Sequence, residues 1–104
     1  MSGACIVMTT VSGEQQAKAI ATAVIEARLA ACAQTMPIAS CYWWDGKVVD
    51  DAELLILFKT AADKYPALET KILELHPYDT PEIIRLPVDG GFGKYLAWIE
   101  KETR

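Results

Sequence analysis

Along the first third of the chain the apolar positions change their spacing once, and the change separates two kinds of element. "ACIVMTT" (4–10) is an unbroken apolar and β-branched run of strand length. Beyond it, Ala17, Ile20, Ala21, Val24, Ala27 and Ala31 recur at helical spacing, with Gln16, Lys18, Glu26 and Arg28 mostly elsewhere, which predicts an amphipathic helix running to Ala31. Ser12 with Gln15 three residues on fits a capping box at its start. The many alanines favour helix and let it lie close to a sheet.

Residues 32–60 return to strand character around Asp45-Gly46, a dipeptide suited to the two positive-φ positions of a type I′ turn. The pattern predicts two antiparallel strands, about 33–44 and 47–60, both longer than the usual ~5–6 residues. Pro37 has no N–H to give a ladder, so the first strand is expected to be bulged there or to lie on an edge. "LLILF" (54–58) predicts burial on both faces of the second. A second helix is expected from about Asp63, with Pro66 in its first turn and Tyr65, Leu68, Ile72 and Leu75 as its apolar stripe. Pro77 disfavours helical dihedrals at His76 and ends it. "EIIRLPV" (82–88) reads as a further strand, and Tyr95, Trp98 and Ile99 pattern a short terminal helix.

The order β-α-β-β-α-β-(α) predicts an α+β, ferredoxin-like sandwich. Its four-stranded antiparallel sheet carries two main helices on one face, plus the short C-terminal helix. At 104 residues, one domain over 1–104 is expected. The long hairpin tipped by "YWW" (42–44) overreaches what two helices can cover, and exposed aromatics on unpaired strand edges call for a closed homo-oligomer.

Charge and composition change this picture only by exclusion. A net charge of -4 without clustered Lys and Arg argues against nucleic acid as a partner. No apolar stretch approaches the ~20 residues that span a bilayer, and residues 1–25 lack the pattern of a secretory signal, so no membrane association is expected. Cys5, Cys32 and Cys41 form no CxxC pair, and a cytoplasmic location with reduced thiols is the simplest. Cys5 and Cys32 are expected to be buried small hydrophobes. No nucleophile–base pairing, phosphate loop or metalloenzyme signature is present, and "GGFG" (90–93) lacks the setting of a dinucleotide turn, so no catalytic activity is expected.

"EARLAAC" (26–32), "YWWDGK" (42–47), "ELLILFKT" (53–60), "HPYDTPEI" (76–83) and "YLAWI" (95–99) occur in series, and together they resemble the CutA family of divalent-cation-tolerance proteins. The likeness runs from about residue 4 to residue 99. It implies a ferredoxin-like homotrimer, similar in architecture to the nitrogen-regulatory PII signalling proteins. It also implies no established catalysis, no required cofactor, and a link to tolerance of copper and other divalent cations.

His76, the only histidine, then has two readings. In one it ends a helix, favoured there by the helix dipole, while Pro77 and Pro81 stiffen the turn that follows. In the other it ligates a metal, copper above all, with further ligands drawn from neighbouring copies. Copper-binding members of the family carry a cysteine at the end of the first strand and a second histidine before the matched one. Here those positions are Thr9 and Leu75, which leaves His76 alone of the three. A separate expectation is a cleft between subunits, built from Glu53, Lys59, Tyr78, Glu82, Trp43 and Trp44, into which a small-molecule effector enters as in a PII-like signalling module.

Overall fold

The computed structural model describes residues 3–104. Its elements are β1 (Ala4–Val11), α1 (Glu14–Glu26), β2 (Cys32–Trp44), β3 (Lys47–Ala61), α2 (Tyr65–Leu75), β4 (Ile84–Pro87) and α3 (Gly93–Glu102), with a 3-10 turn over Ala62–Lys64 leading into α2. The strands form one sheet in the order β2-β3-β1-β4, each neighbouring pair antiparallel. This is the expected ferredoxin-like arrangement.

Asp45 and Gly46 take φ of 52° and 75°, the left-handed pair that a two-residue hairpin requires. The β2–β3 register then runs without a slip from Trp44↔Lys47 to Cys32↔Lys59. Pro37 therefore causes no bulge. It is tolerated because β2 is an edge strand of the sheet, where a missing N–H can point outward.

Alternation along the strands sends Cys5, Val7 and Val11 of β1 and Ile56 and Phe58 of β3 into one core with Ala17, Ile20 and Val24 of α1 and Leu68 and Ile72 of α2. Thr60 ties the far end of that face to the loop after α1, its hydroxyl donating to the Leu29 carbonyl at 2.7 Å. The opposite face carries Ile6, Met8, Met36, Leu55, Leu57, Ile84 and Leu86, matched across the register. Neither α1 nor α2 covers it, so these side chains are half-buried or exposed within the chain. The expectation that "LLILF" is buried on both faces is not met: Ile56 and Phe58 are buried on the core face, while Leu55 and Leu57 on the other are only half-buried. α3 lies against β3 and β1 at the Lys59 end of that face, where Lys59 Nζ donates to the Tyr95 hydroxyl at 3.3 Å, and the stretch beyond it is the helix-free face.

Two helix boundaries depart from the pattern. No capping box forms: the N-cap of α1 is Gly13, and the Ser12 hydroxyl donates to Gln16 Oε1 instead. α1 also stops at Glu26, five residues before Ala31. Arg28 takes φ of 62°, the Arg28 N–H donates to the Ile25 carbonyl, and the Leu29 N–H donates to that of Val24, which is a Schellman stop. Arginine stands where glycine is usual, and its guanidinium reaches the end of α3. Nη1 donates to the Glu102 carbonyl at 3.2 Å and to the Glu102 carboxylate at 3.1 Å, joining the ends of α1 and α3. β4 covers 84–87 rather than 82–88, since the segment before it is still crossing the end of the sheet.

The hairpin projects. The Cα radius of gyration is 14.2 Å, above the ~13 Å of a compact chain this long, and Trp43 and Trp44 are 75% and 57% exposed at its tip.

Candidate functional site

The segment after α2 crosses the end of the helix-free face, and His76 anchors it. His76 is buried, 9% exposed, with extended dihedrals that end the helix as Pro77 dictates. Its Nε2 lies 2.8 Å from the Thr10 carbonyl, and its Nδ1 accepts the Tyr78 N–H at 3.1 Å. A carbonyl only accepts, so Nε2 carries the hydrogen and both ring nitrogens are used. In this arrangement both nitrogens of the residue expected as a metal ligand are engaged within the chain. The ring also packs, tilted, on Tyr78 at 4.7 Å.

Thr9 is fully buried on the core face, and its Oγ1 has no hydrogen-bond partner. Leu75 is exposed at the end of α2. Among the described residues no group of three His, Cys, Asp or Glu is placed to hold a metal ion. A buried hydroxyl without a partner costs stability that valine, of the same shape, does not. Thr9→Val is expected to stabilise the chain by about 1–2 kcal/mol, read as a higher urea midpoint at unchanged slope. An unchanged or lower midpoint would show that the hydroxyl is satisfied.

With its backbone fixed by His76, Tyr78 places its hydroxyl 3.2 Å from Glu53 Oε2. Glu53 is only 8% exposed, although it lies on the helix-free face in register with Ile38. Around it opens a cleft of about 660 Å³ lined by Thr10, Ser12, Ser40, Cys41, Tyr42, Trp44, Asp51, Glu53, Tyr78, Asp79, Thr80 and Glu82. Tyr42 donates to Asp51 across the hairpin at 3.2 Å.

Of the residues expected to line a cleft between subunits, some meet in this one. Glu53, Tyr78, Glu82 and Trp44 come together; Lys59 and Trp43 do not. Lys59 shares the face of Glu53 but sits six residues along β3, roughly 20 Å away, where it meets Tyr95. Trp43 pairs with Val48, and strand alternation turns it to the opposite side from Trp44. Sequence reasoning missed Thr10, Ser12, Ser40, Cys41, Tyr42, Asp51, Asp79 and Thr80. The hairpin register around Asp45-Gly46 is the signal that would have placed Ser40, Tyr42 and Asp51 beside Glu53. The thiols are free: Cys5 is buried as expected, and burial raises its pKa, against a smaller opposing pull from Arg85. Cys32 is half-buried, because it lies on the open face opposite Lys59 rather than in the core.

Three tyrosines share one electrostatic habit. Burial raises the Tyr42 and Tyr78 phenols above the ordinary 10.0, helped at Tyr42 by Asp51 and at Tyr78 by Glu53, with Ser12 opposing at Tyr78. At Tyr65 the leading cause is its hydrogen bond to Glu69, at 2.5 Å. The folded chain holds these protons more tightly than the unfolded one. Their stabilisation is therefore full below the unfolded pKa near 10.0 and is lost as pH climbs through the folded values. Urea midpoints from pH 8 upward are expected to fall once pH passes about 10, and less steeply in Tyr65→Phe. A midpoint that rises over that range contradicts the assignment.

The fold is thus a ferredoxin-like sheet with one apolar face that α1 and α2 leave open and a cleft around Glu53. Residues 5–102 match the CutA1 divalent ion tolerance protein family, and the chain belongs to it. A Thermus thermophilus divalent-cation tolerance protein CutA is 44% identical over 94% of this chain and 96% of its own. A rice protein, CutA 1, chloroplastic, is 43% identical over 95% of this chain, which spans 56% of that longer relative. The solved structure of the periplasmic divalent cation tolerance protein CutA from Archaeoglobus fulgidus superposes with a TM-score of 0.95 at 30% identity, covering 97% of this chain and 99% of that one.

Proposed function

We propose that this chain acts in divalent-cation tolerance as a non-catalytic homotrimer, and that the trimer forms by burying the helix-free face of the sheet. The observation that carries this reading is that face itself. Met36, Leu55, Leu57, Ile6, Met8, Ile84 and Leu86 make a continuous apolar surface that neither main helix covers, and such surfaces mark contacts with partners. The hairpin extends the same surface toward a neighbouring copy, and cyclic closure leaves none of it open. Light scattering is expected to give three times the 11.4 kDa chain mass, about 34 kDa. A single-chain mass at micromolar concentration would sink the assembly.

Copper contact in this reading is weak, since His76 is engaged at both nitrogens and Thr9 and Leu75 replace the two other family ligands. Titration calorimetry with Cu(II), Cu(I) and Zn(II) is expected to give the same weak response in wild type and in a variant without the imidazole. Three free thiols accord with the cytoplasm, although the rice and Archaeoglobus relatives are named for other compartments. No helix among the described residues is long and apolar enough to cross a membrane. The cleft around Glu53 favours a second reading, a PII-like module whose small-molecule effector reshapes the segment from His76 to Glu82.

A further inference from the structure

The face turned away from α1 and α2 has two chemically opposite ends. At the hairpin end Asp51, Glu53 and Glu82 outweigh Lys47 of the turn, and Tyr42 and Trp44 stand exposed beside them. Six residues along β3, roughly 20 Å away, Lys59 supplies the charge of the other end. Tyr95 and Trp98 of α3, exposed and stacked on each other, flank it. Within the chain each of these two charges meets a phenol: Glu53 Oε2 accepts from Tyr78 at 3.2 Å, and Lys59 Nζ donates to Tyr95 at 3.3 Å. Between the ends the face is apolar, through Met36, Leu55 and Leu57.

A ring of three copies is heterologous: each contact joins one patch of a chain to a different patch of the next, and every copy uses both once. The two ends of this face supply such a pair. Hairpin end against hairpin end sets acid on acid, whereas hairpin end against Lys59 end joins opposite charges and lays aromatic side chains on aromatic ones. Glu53 is already stripped of most of its water, 8% exposed and held by Tyr78, so pairing it costs less desolvation than pairing a fully hydrated carboxylate. We propose that in the trimer the hairpin end of each copy docks on the α3 end of the next, with the next copy's Lys59 donating to Glu53. The lysine that the cleft lacks within one chain thus arrives from its neighbour. This rests on the trimer reading and adds to it the direction of the contact and the charge pair that fixes its register.

A zero-length carbodiimide joins a carboxylate to an amine only where the two touch. Glu53 and Lys59 of one chain are too far apart for that, so an amide between them reports a contact between copies. Mass spectrometry of the digested protein is expected to find the Glu53–Lys59 link in cross-linked dimers and trimers, and not in single chains. A double-mutant cycle covers the case of a carboxylate that the reagent does not reach. Glu53→Gln keeps the acceptor for Tyr78, and Lys59→Met keeps the length of a half-buried side chain, so both are expected to fold. Each is expected to raise the concentration at which the trimer dissociates about tenfold, and the double variant no more than either alone, because both remove one contact. Losses that multiply in the double variant overturn the pairing and leave the trimer standing, as does a crystal structure of the trimer with Glu53 away from the next copy's Lys59. A single-chain mass in light scattering overturns the trimer and the pairing together.

Discussion

Leu57→Glu is expected to break the proposed trimer into single chains. Leu57 sits near the middle of the helix-free face, on the strand between β2 and β1, in register with Met8 and Gln34. Within one chain it is half-buried, so a carboxylate there reaches water and the isolated fold tolerates it. In the proposed trimer the same carboxylate would be dried without a partner, at roughly 4 kcal/mol or more per chain. The expected result is a scattering mass falling from about 34 kDa toward 11.4 kDa with the far-ultraviolet circular dichroism retained. Val49→Glu, half-buried near the hairpin tip, should weaken association less if the middle of the face dominates it. A Leu57→Glu protein that keeps the wild-type mass would place the interface elsewhere.

His76→Ala is the second large effect, and it separates scaffold from ligand. Removing the ring strands the Thr10 carbonyl and the Tyr78 N–H, both bound to it at present, and leaves a void beside the Tyr78 ring. Each stranded buried group costs about 1–3 kcal/mol, so a loss of roughly 3–4 kcal/mol is expected in urea unfolding at fixed protein concentration. His76→Gln, which restores one donor, should recover part of it. Copper titrations are expected to be indistinguishable among the three proteins. A His76→Ala protein with wild-type stability and lost copper binding would reverse the assignment and restore the metal ligand.

The sheet was legible because its signals are local and redundant. Asp45-Gly46 sets the hairpin, the register follows from it by counting, and the β-α-β-β-α-β order admits few windings. The helix ends were less so. α1 stops at a left-handed Arg28, and arginine carries no local mark of that conformation; the anchor at Glu102 lies 74 residues away. The cleft was half legible for a similar reason. Family-like motifs put Glu53, Tyr78, Glu82 and Trp44 forward, but they carried Lys59 and Trp43 with them, because motif membership ignores which face a strand residue takes. Counting alternation from the turn separates Trp43 from Trp44. The engagement of His76 with Thr10, 66 residues away, is a tertiary fact that no spacing contains.

Pro37 has a consequence beyond its place at the margin of the sheet. Because β2 keeps its register with β3 through Pro37↔Leu54, the missing N–H belongs to the outward row, where an incoming strand would dock. That row is interrupted midway along a thirteen-residue strand. A chain laid along all of it forfeits a bond at the centre, whereas short segments on either side lose nothing. The gap thus acts as a gatekeeper against templated fibril growth while sparing brief, finite docking at the two halves.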